Sequence, residues 1–387
     1  MGRHNMIRDY ILIAAILLIF TFSIYRMLMT EYALVKVVRK IDKNVKEDAS
    51  KQFDSVRWYI NAYDEGRSCN IDSSLMVSGN SLPIAVMQYR YRQRRAVPKI
   101  IHQTWSSLYI PAKVRKAVES WQKLNPDWEY WLWTTESINI FVRRSFPQYT
   151  VMFQRYTLRG QVINAAKALI LYRYGGVFAD IDVVNMRPLN ELIQSHTCVL
   201  AHEHPVHANL LWGRDRLLSN AFMASTPSHP FMKMVAKELA RSSRLPNKHN
   251  FFDDVMSKTG QILLDRVLVS FYKKYKTRSS SWYGHIYMVP PESAFTTFDE
   301  EYITESRCNE VEISESRREI CQSLRENQFK NPTTVSPVFV DHLTIDSWTM
   351  DQQSKSDLEA RFGDTSVYLC KVMKTIVVPG GLDAIDR

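Results

Sequence analysis

From Val97 onward the apolar positions follow two alternating periods, one of two residues and one of about 3.6. VPKIIHQTW (97–105) reads as a strand, with Pro98 tolerated near its start. Pro111 then opens a helix that places Val114, Ala117, Val118, Trp121 and Leu124 on one face, and Pro126 closes it. WEYWLWT (128–134) is aromatic and strand-like, with Thr135 as the cap of the helix that follows. QVINAAKALILYRY (161–174) is helical and offers Ile163, Ala166, Ile170, Leu171 and Tyr174 to a core, and Gly175 and Gly176 stop it. VFADIDV, TCVLA (197–201), NAFMAST (220–226) and VSPVFVDH (335–342) read as further strands. Helices are expected from about Ser228 and across QILLDRVLVSFYKKY (261–275). This alternation predicts an α/β domain with a largely parallel sheet, in which ligands gather at the carboxyl ends of the strands.

One segment does not fit a plain core. VFADIDV carries Asp180 and Asp182 inside an apolar run, and buried charge needs compensation. In a strand, residues i and i+2 point the same way, so both carboxylates would face one side. Two hard oxygen ligands at a strand end suit Mn²⁺ or Mg²⁺ bound together with the phosphates of a substrate. The competing reading is a pair of carboxylates held by a nearby Arg or Lys.

The chain upstream of Val97 has a different texture. YILIAAILLIFTFSIY (10–25) is uncharged, and Met27–Met29 extends it past Arg26, giving an expected single membrane anchor at 10–29 behind a tail at 1–9. Residues 30–96 are charged and irregular and end in the basic run YRYRQRR (89–95), as expected of a stem that holds a domain, 97–387, away from a membrane. Basic residues flank the span on both sides, so charge alone does not orient it.

The formal charge of +10 is unevenly spread. Residues 1–100 hold 16 Lys and Arg against 9 Asp and Glu, a net of +7, and the remaining +3 is spread over 101–387. Nucleic-acid binding is therefore not expected of the folded part. Cys69, Cys198, Cys308, Cys321 and Cys370 have no zinc-like spacing; Cys308 and Cys321 could pair in an oxidising compartment. The histidines of HEHPVH and His229 likewise make no recognised zinc pattern, and this stretch is expected to be a polar loop on the acceptor side.

Taken together, VPKIIHQTW, LYRYGGVFADIDV, NAFMASTPSHPFM and HLTIDSW resemble, in order and spacing, the DXD-containing glycosyltransferases. That family includes the yeast initiating α-1,6-mannosyltransferase, the inositolphosphoceramide mannosyltransferases and the animal α-1,4-galactosyl- and N-acetylglucosaminyltransferases. The resemblance, over roughly 97–348, implies a GT-A fold, with a Rossmann-like mixed sheet flanked by helices, a divalent metal, and retention at the transferred sugar. It also implies a type II Golgi membrane protein with its catalytic domain in the lumen.

Carried onto this chain, the resemblance places Gln103, Thr104 and Trp105 near the nucleotide and Gly175 and Gly176 at the donor site. Asp180 would approach the donor's ribose and sugar. Asp182 would ligate the metal, with Asp180 and His342 beside it near the diphosphate, and Trp348 would close the last motif. Where relatives carry an Asp and an Arg in patterns such as RADxxRY, this chain has Asn164 and Lys167, which keeps a polar pair but changes its chemistry. The expected donor is GDP-mannose, with UDP-galactose or UDP-N-acetylglucosamine as alternatives; the expected acceptor is a glycan or glycolipid, and other glycosyltransferases are expected partners. A catalytically silent, membrane-anchored subunit that binds nucleotide or sugar is the alternative from another class.

Overall fold

A computed structural model describes residues 70–72, 97–275, 285–290, 293–300, 303–309, 314–331, 338–343, 366–369, 372–373 and 375–379. These all belong to one compact unit, Arg57–Arg387. The apolar span at 10–29, Cys69, Cys370 and Trp348 lie outside the described residues. Among those described, no helix is long and apolar enough to cross a membrane.

The strands are β1 (Asn70–Asp72), β2 (Ile100–Thr104), β3 (Tyr109–Pro111), β4 (Glu129–Trp133), β5 (Gly176–Ala179) and β6 (Val183–Asn185), followed by β7 (Cys198–His202), β8 (Leu218–Ser225), β9 (Tyr287–Val289), β10 (Val340–His342), β11 (Ser366–Tyr368) and β12 (Thr375–Val377). The main sheet has the order β1-β12-β4-β2-β5-β8-β7-β9. From β1 to β5 its strands are parallel, β8 runs antiparallel to both β5 and β7, and β9 is again parallel to β7. The sheet is thus mixed and largely parallel. β1, inside the segment read as stem, supplies its edge.

Period-two alternation within the strands divides the core into two layers. Ile101, Tyr130, Leu132, Val177 and Ala179 face one side, where helix α1 (Arg115–Leu124) packs through Val118 and Trp121. Ile100, Trp131, Trp133 and Phe178 face the other, against α2 (Thr135–Ser145) and α3 (Arg159–Tyr174). The capping residue of α2 is Thr134 rather than Thr135: its hydroxyl accepts from the Ser137 amide, and Ser137 reciprocates. Helix α3 lies deep under the sheet and is buried nearly all round from Ala165 to Leu171, which a helix covered on several sides requires.

The second layer also holds α5 (Pro230–Ser242) and α7 (Gln261–Tyr275), with α6 (Phe251–Lys258) alongside. Among the helices that fall where no periodic signal was read are α4 (Pro205–Trp212) and α8 (Glu315–Glu326). HEHPVH is therefore not a loop. His204 caps α4, as His229 caps α5; in each, the imidazole Nδ1 accepts from the amide two residues on, and a proline follows at the first helical position. A Cys308–Cys321 disulfide closes the segment carrying α8, which packs on α4 through Val206, Leu210, Phe298 and Leu324.

Candidate active site

The site begins at the end of α3. Gly175 and Gly176 have φ of 69° and 95°, and their backbones run against neighbours with no room for a side chain. A Cβ on Gly176 would lie 2.6 Å from the Ile100 carbonyl, and one on Gly175 would lie 2.7 Å from that of Ser225. Behind this turn sits His102, fully buried. Its Nδ1 accepts from Trp133 Nε1 at 3.1 Å, so the proton is on Nε2, which donates to the Gly175 carbonyl at 2.9 Å. Burial pushes this imidazole down to about 3, against the raising effect of that carbonyl. The two glycines serve a close crossing of chains that leads directly into β5.

The strand ends sooner than expected. β5 stops at Ala179, and Asp180, Ile181 and Asp182 form a turn closed by a bond from the Val183 amide to the Asp180 carbonyl, 3.0 Å. The expectation of two carboxylates side by side on one face of a strand is corrected accordingly: a turn breaks the period of two and sends the side chains apart.

Asp180 turns toward Lys167, whose Nζ lies 2.6 Å from its Oδ1. Lys167 is 2% exposed, also donates to the Asn220 carbonyl at 3.1 Å, and stands over the Phe178 ring. Burial raises the Asp180 carboxyl, as does the charge of Asp182, while Lys167 pulls it down. Asp182 turns the other way, its Oδ1 3.2 Å from His342 Nε2. Of the two compensations expected, a divalent metal or a nearby Arg or Lys, the fold supplies Asp180 with Lys167 and sets Asp182 against His342.

His342 reaches Asp182 because β6 and β10 form a two-stranded antiparallel ribbon with Val183 opposite His342. The Leu343 amide continues the ribbon by donating to the Asp182 carbonyl at 2.9 Å. Trp121 Nε1 donates to the Val183 carbonyl, and Asn125 and Asn185 bond each other, pinning β6 to α1. Burial alone would lower His342, but Asp182, with Glu203 and Asp180 farther off, raises it to about 10.

The remaining sequence-predicted residues divide into two groups. Gln103 is buried with both amide ends engaged: Nε2 donates to the Asp180 carbonyl at 2.9 Å, and Oε1 accepts from Tyr130. It fixes the DXD turn from below. Thr104 is buried at the end of β2, and Trp105 follows it, donating from Nε1 to the Tyr109 carbonyl. Asn164, one helical turn before Lys167, accepts from Asn220 Nδ2 at 2.9 Å.

Asn220 and His102 are residues that sequence reasoning missed. A register jump between β7 and β8, from Leu200 opposite Met223 to Ala201 opposite Ser219, throws Asn220 and Ala221 out of the ladder. The freed Ala221 carbonyl accepts from the Asp180 amide, and that of Asn220 accepts from Lys167. An uncharged Asn at a bulge carries no local sequence signal.

Among the described residues, no group of three His, Cys, Asp or Glu side chains is placed to hold a metal ion. A pair remains. Asp182, 2% exposed, and His342 bring a carboxylate oxygen and an imidazole nitrogen together, a donor set that fits a divalent cation whose other positions go to water and phosphate. Asp180, taken up by Lys167, is not part of that pair.

Residues 111–199, from the start of the α1 region through the DXD turn into β7, match the family described as the glycosyltransferase sugar-binding region containing the DXD motif. The chain is 32% identical over 203 residues to inositol phosphoceramide mannosyltransferase 3 of Schizosaccharomyces pombe, covering 52% of each. It is 30% identical over 185 residues to mannosyl phosphorylinositol ceramide synthase CSH1 of Saccharomyces cerevisiae, covering 48% of this chain and 45% of that protein. The chain thus spans about half the length of the curated relatives it matches. Among solved structures, the galactosyltransferase LgtC with donor and acceptor sugar analogues aligns with a TM-score of 0.32 at 11% identity, over 71% of this chain and 96% of that one. Residues 111–199 thus match the sugar-binding region of the DXD-containing glycosyltransferases, and over about half its length the chain is similar to the mannosyltransferases named here.

Proposed function

We propose that the chain is a metal-dependent, retaining hexosyltransferase of GT-A type that moves mannose from GDP-mannose to a glycan or glycolipid. The observation that carries this reading is the DXD turn itself. At the carboxyl end of β5, beside that of β2, it displays Asp180 against Lys167 and Asp182 against His342. A divalent cation, Mn²⁺ or Mg²⁺, held by Asp182 and His342 would neutralise charge on a nucleoside diphosphate.

The chain's own residues do the rest. Departure of the diphosphate leaves negative charge on it, and Lys167 is a fixed, desolvated cation at the turn that favours that charge as it grows. Gln103 and the Ala221 carbonyl hold the Asp180 backbone, so its carboxylate stays on Lys167 and keeps that cation at the turn. We read retention as attack from the face the leaving group quits. The carboxylates around the turn are committed: Asp180 to Lys167, and Glu203 to His207 and Gln261. The mannose donor is suggested by what the two relatives are named for. The Cys308–Cys321 disulfide supports a lumenal Golgi domain, with the segment 10–29 as a type II anchor.

A second reading, a silent subunit that binds nucleotide sugar without turnover, rests on Asn164, bonded to Asn220, and Lys167, bonded to Asp180, at the two positions where the resembled pattern RADxxRY has Asp and Arg. The deciding experiment is transfer or hydrolysis by the purified chain with Mn²⁺ and GDP-mannose, UDP-galactose or UDP-N-acetylglucosamine in turn. Turnover of GDP-mannose alone is expected. Nucleotide binding without turnover of any donor would establish the silent subunit instead.

A further inference from the structure

His342 stands in a three-residue strand with a single ribbon partner, a slight support for a side chain that must present one nitrogen beside Asp182. The segment 293–299 runs along its other edge. The Phe339 amide donates to the Ser293 carbonyl, Ala294 bridges Val340, and the Phe295 amide donates to the Val340 carbonyl at 3.0 Å. Phe295 does this with φ at 54°, a left-handed conformation that a bulky side chain adopts only when its surroundings impose it. The ring so placed is 1% exposed and meets His342 edge-on, with centroids 5.9 Å apart.

Thr297 then closes on the backbone of the ribbon. Its amide and hydroxyl both donate to Asp341 Oδ1, at 3.2 and 3.0 Å, and the same hydroxyl is 3.2 Å from the His342 carbonyl. Asp341 Oδ1 in turn accepts from the His342 amide at 3.0 Å. Two residues on, the Asp299 amide donates to His207 Nε2 at 3.1 Å. His207 Nδ1 therefore carries the proton that faces Glu203 Oε1 at 3.3 Å, while Gln261 donates to Glu203 Oε2 at 2.7 Å. The chain of bonds runs from α7 through Glu203, His207 and Asp299 to Thr297, and from there to His342.

The geometry points to Thr297 and His207 as positioning residues of His342: Thr297 grips the strand that carries the imidazole, and His207 anchors the far end of the segment holding Thr297. This rests on the reading of Asp182 and His342 as a divalent-cation pair, and it assigns the aim of that pair to the 293–299 segment. Glu203 acts at one further remove. Burial would raise its carboxyl, but the bond from His207 and nearby charge hold it at about 2, so it remains an anion that fixes the His207 ring.

The test uses the full-length chain in detergent and two readouts: Mn²⁺ affinity in the presence of GDP, by electron paramagnetic resonance of free Mn²⁺, and the metal-free imidazole carbon–proton signal of His342, assigned with His342→Gln. Thr297→Val should weaken Mn²⁺ binding about 10- to 100-fold, as loss of a bond behind a metal ligand does, and should move the His342 signal. Thr297→Ser, which restores the hydroxyl, should bring both back. His207→Asn keeps a donor for Glu203 but takes the acceptor from the Asp299 amide, and should shift both readouts in the same direction by less. It also stands in should Thr297→Val fail to fold. A Thr297→Val or His207→Asn chain that melts lower yet binds Mn²⁺ like the wild type, with its His342 signal unmoved, would overturn the assignment. So would a Thr297→Ser chain as impaired as Thr297→Val. If the wild type itself binds no Mn²⁺, the cation reading falls, and the His342 signal alone still decides the role of the segment.

Discussion

The two sides of the DXD turn solve the same problem with different cations, and the difference separates scaffold from site. On one side Asp180 meets Lys167, which is buried, also tied to the Asn220 carbonyl, and carried by the helix most deeply enclosed in the fold. On the other, Asp182 meets His342, which sits on a short ribbon. An ammonium removed from water has no cheap way to lose its charge, whereas an imidazole becomes neutral when its partner goes. One pair is therefore built to stay closed, and the other can exchange its partner for an incoming ligand.

The sharpest way to break that contrast is to neutralise the carboxylates one at a time. Asp180→Asn should strand the buried Lys167 charge and lower stability toward the lower end of ~3–5 kcal/mol, since a quarter of the Asp180 side chain is open to water. Denaturant unfolding monitored by circular dichroism measures it. Asp182→Asn should cost less stability than Asp180→Asn, because His342 can discharge near neutral pH where Lys167 cannot, yet reduce transfer by roughly 10²- to 10³-fold, the range for losing one charge-stabilising group in a catalytic site. If the two stability effects were equal, the division into a scaffold pair and an exchangeable pair would be wrong. Nucleotide and Mn²⁺ should raise the melting temperature of the wild type by mass action and of Asp182→Asn hardly at all.

A smaller effect tests the frame behind the turn. Gly176→Ala places a methyl 2.6 Å from the Ile100 carbonyl at a φ of 95°, and should cost ~1–3 kcal/mol from backbone strain before any clash is counted. Thermal unfolding at neutral pH reads it. A variant as stable as the wild type would mean that the crossing of α3, β2 and β5 is looser than its distances imply.

That frame was the most legible part of the chain. Strand β2, helices α1, α3, α5 and α7, and the paired glycines all announce themselves by local period or by punctuation, since each is long enough to repeat its pattern. The DXD motif was legible as chemistry but not as geometry: an apolar run reads as a strand, and only the i to i+3 bond at Asp180 shows that it has become a turn. Three-residue strands such as β1, β3 and β12 repeat nothing, and exist because distant partners complete them. Helix α4 was hidden because its first turn is HPVH, where proline and two histidines suggest a loop until the capping role of His204 is seen. Thr297, Asn220 and Glu203 had no signal for a related reason. Each matters through a bond to a residue far away in sequence, and no property of its own neighbourhood records that.

The last of the expected effects concerns a second buried imidazole, and it separates ion pairing from plain burial. His102 and His342 are both enclosed, yet His102 faces a carbonyl and an indole, while His342 faces a carboxylate. The first is pushed down to about 3 from the ordinary 6.5. Its unfolded form thus binds a proton across a range in which its folded form does not. The stability it contributes is fully present above about pH 6.5 and is lost as the pH falls toward 3. His229, held at about 4 by burial while its Nδ1 caps α5, adds in the same direction. At pH 5 each should have removed ~2 kcal/mol relative to pH 7.5, at about 1.4 kcal/mol per pH unit. Urea midpoints between pH 7.5 and 5 measure the slope. His229→Asn, which keeps a capping acceptor but cannot be protonated in this range, should flatten part of it. A midpoint independent of pH over that window would mean that these rings reach water, and that the enclosed frame behind the DXD turn opens more readily than its packing indicates.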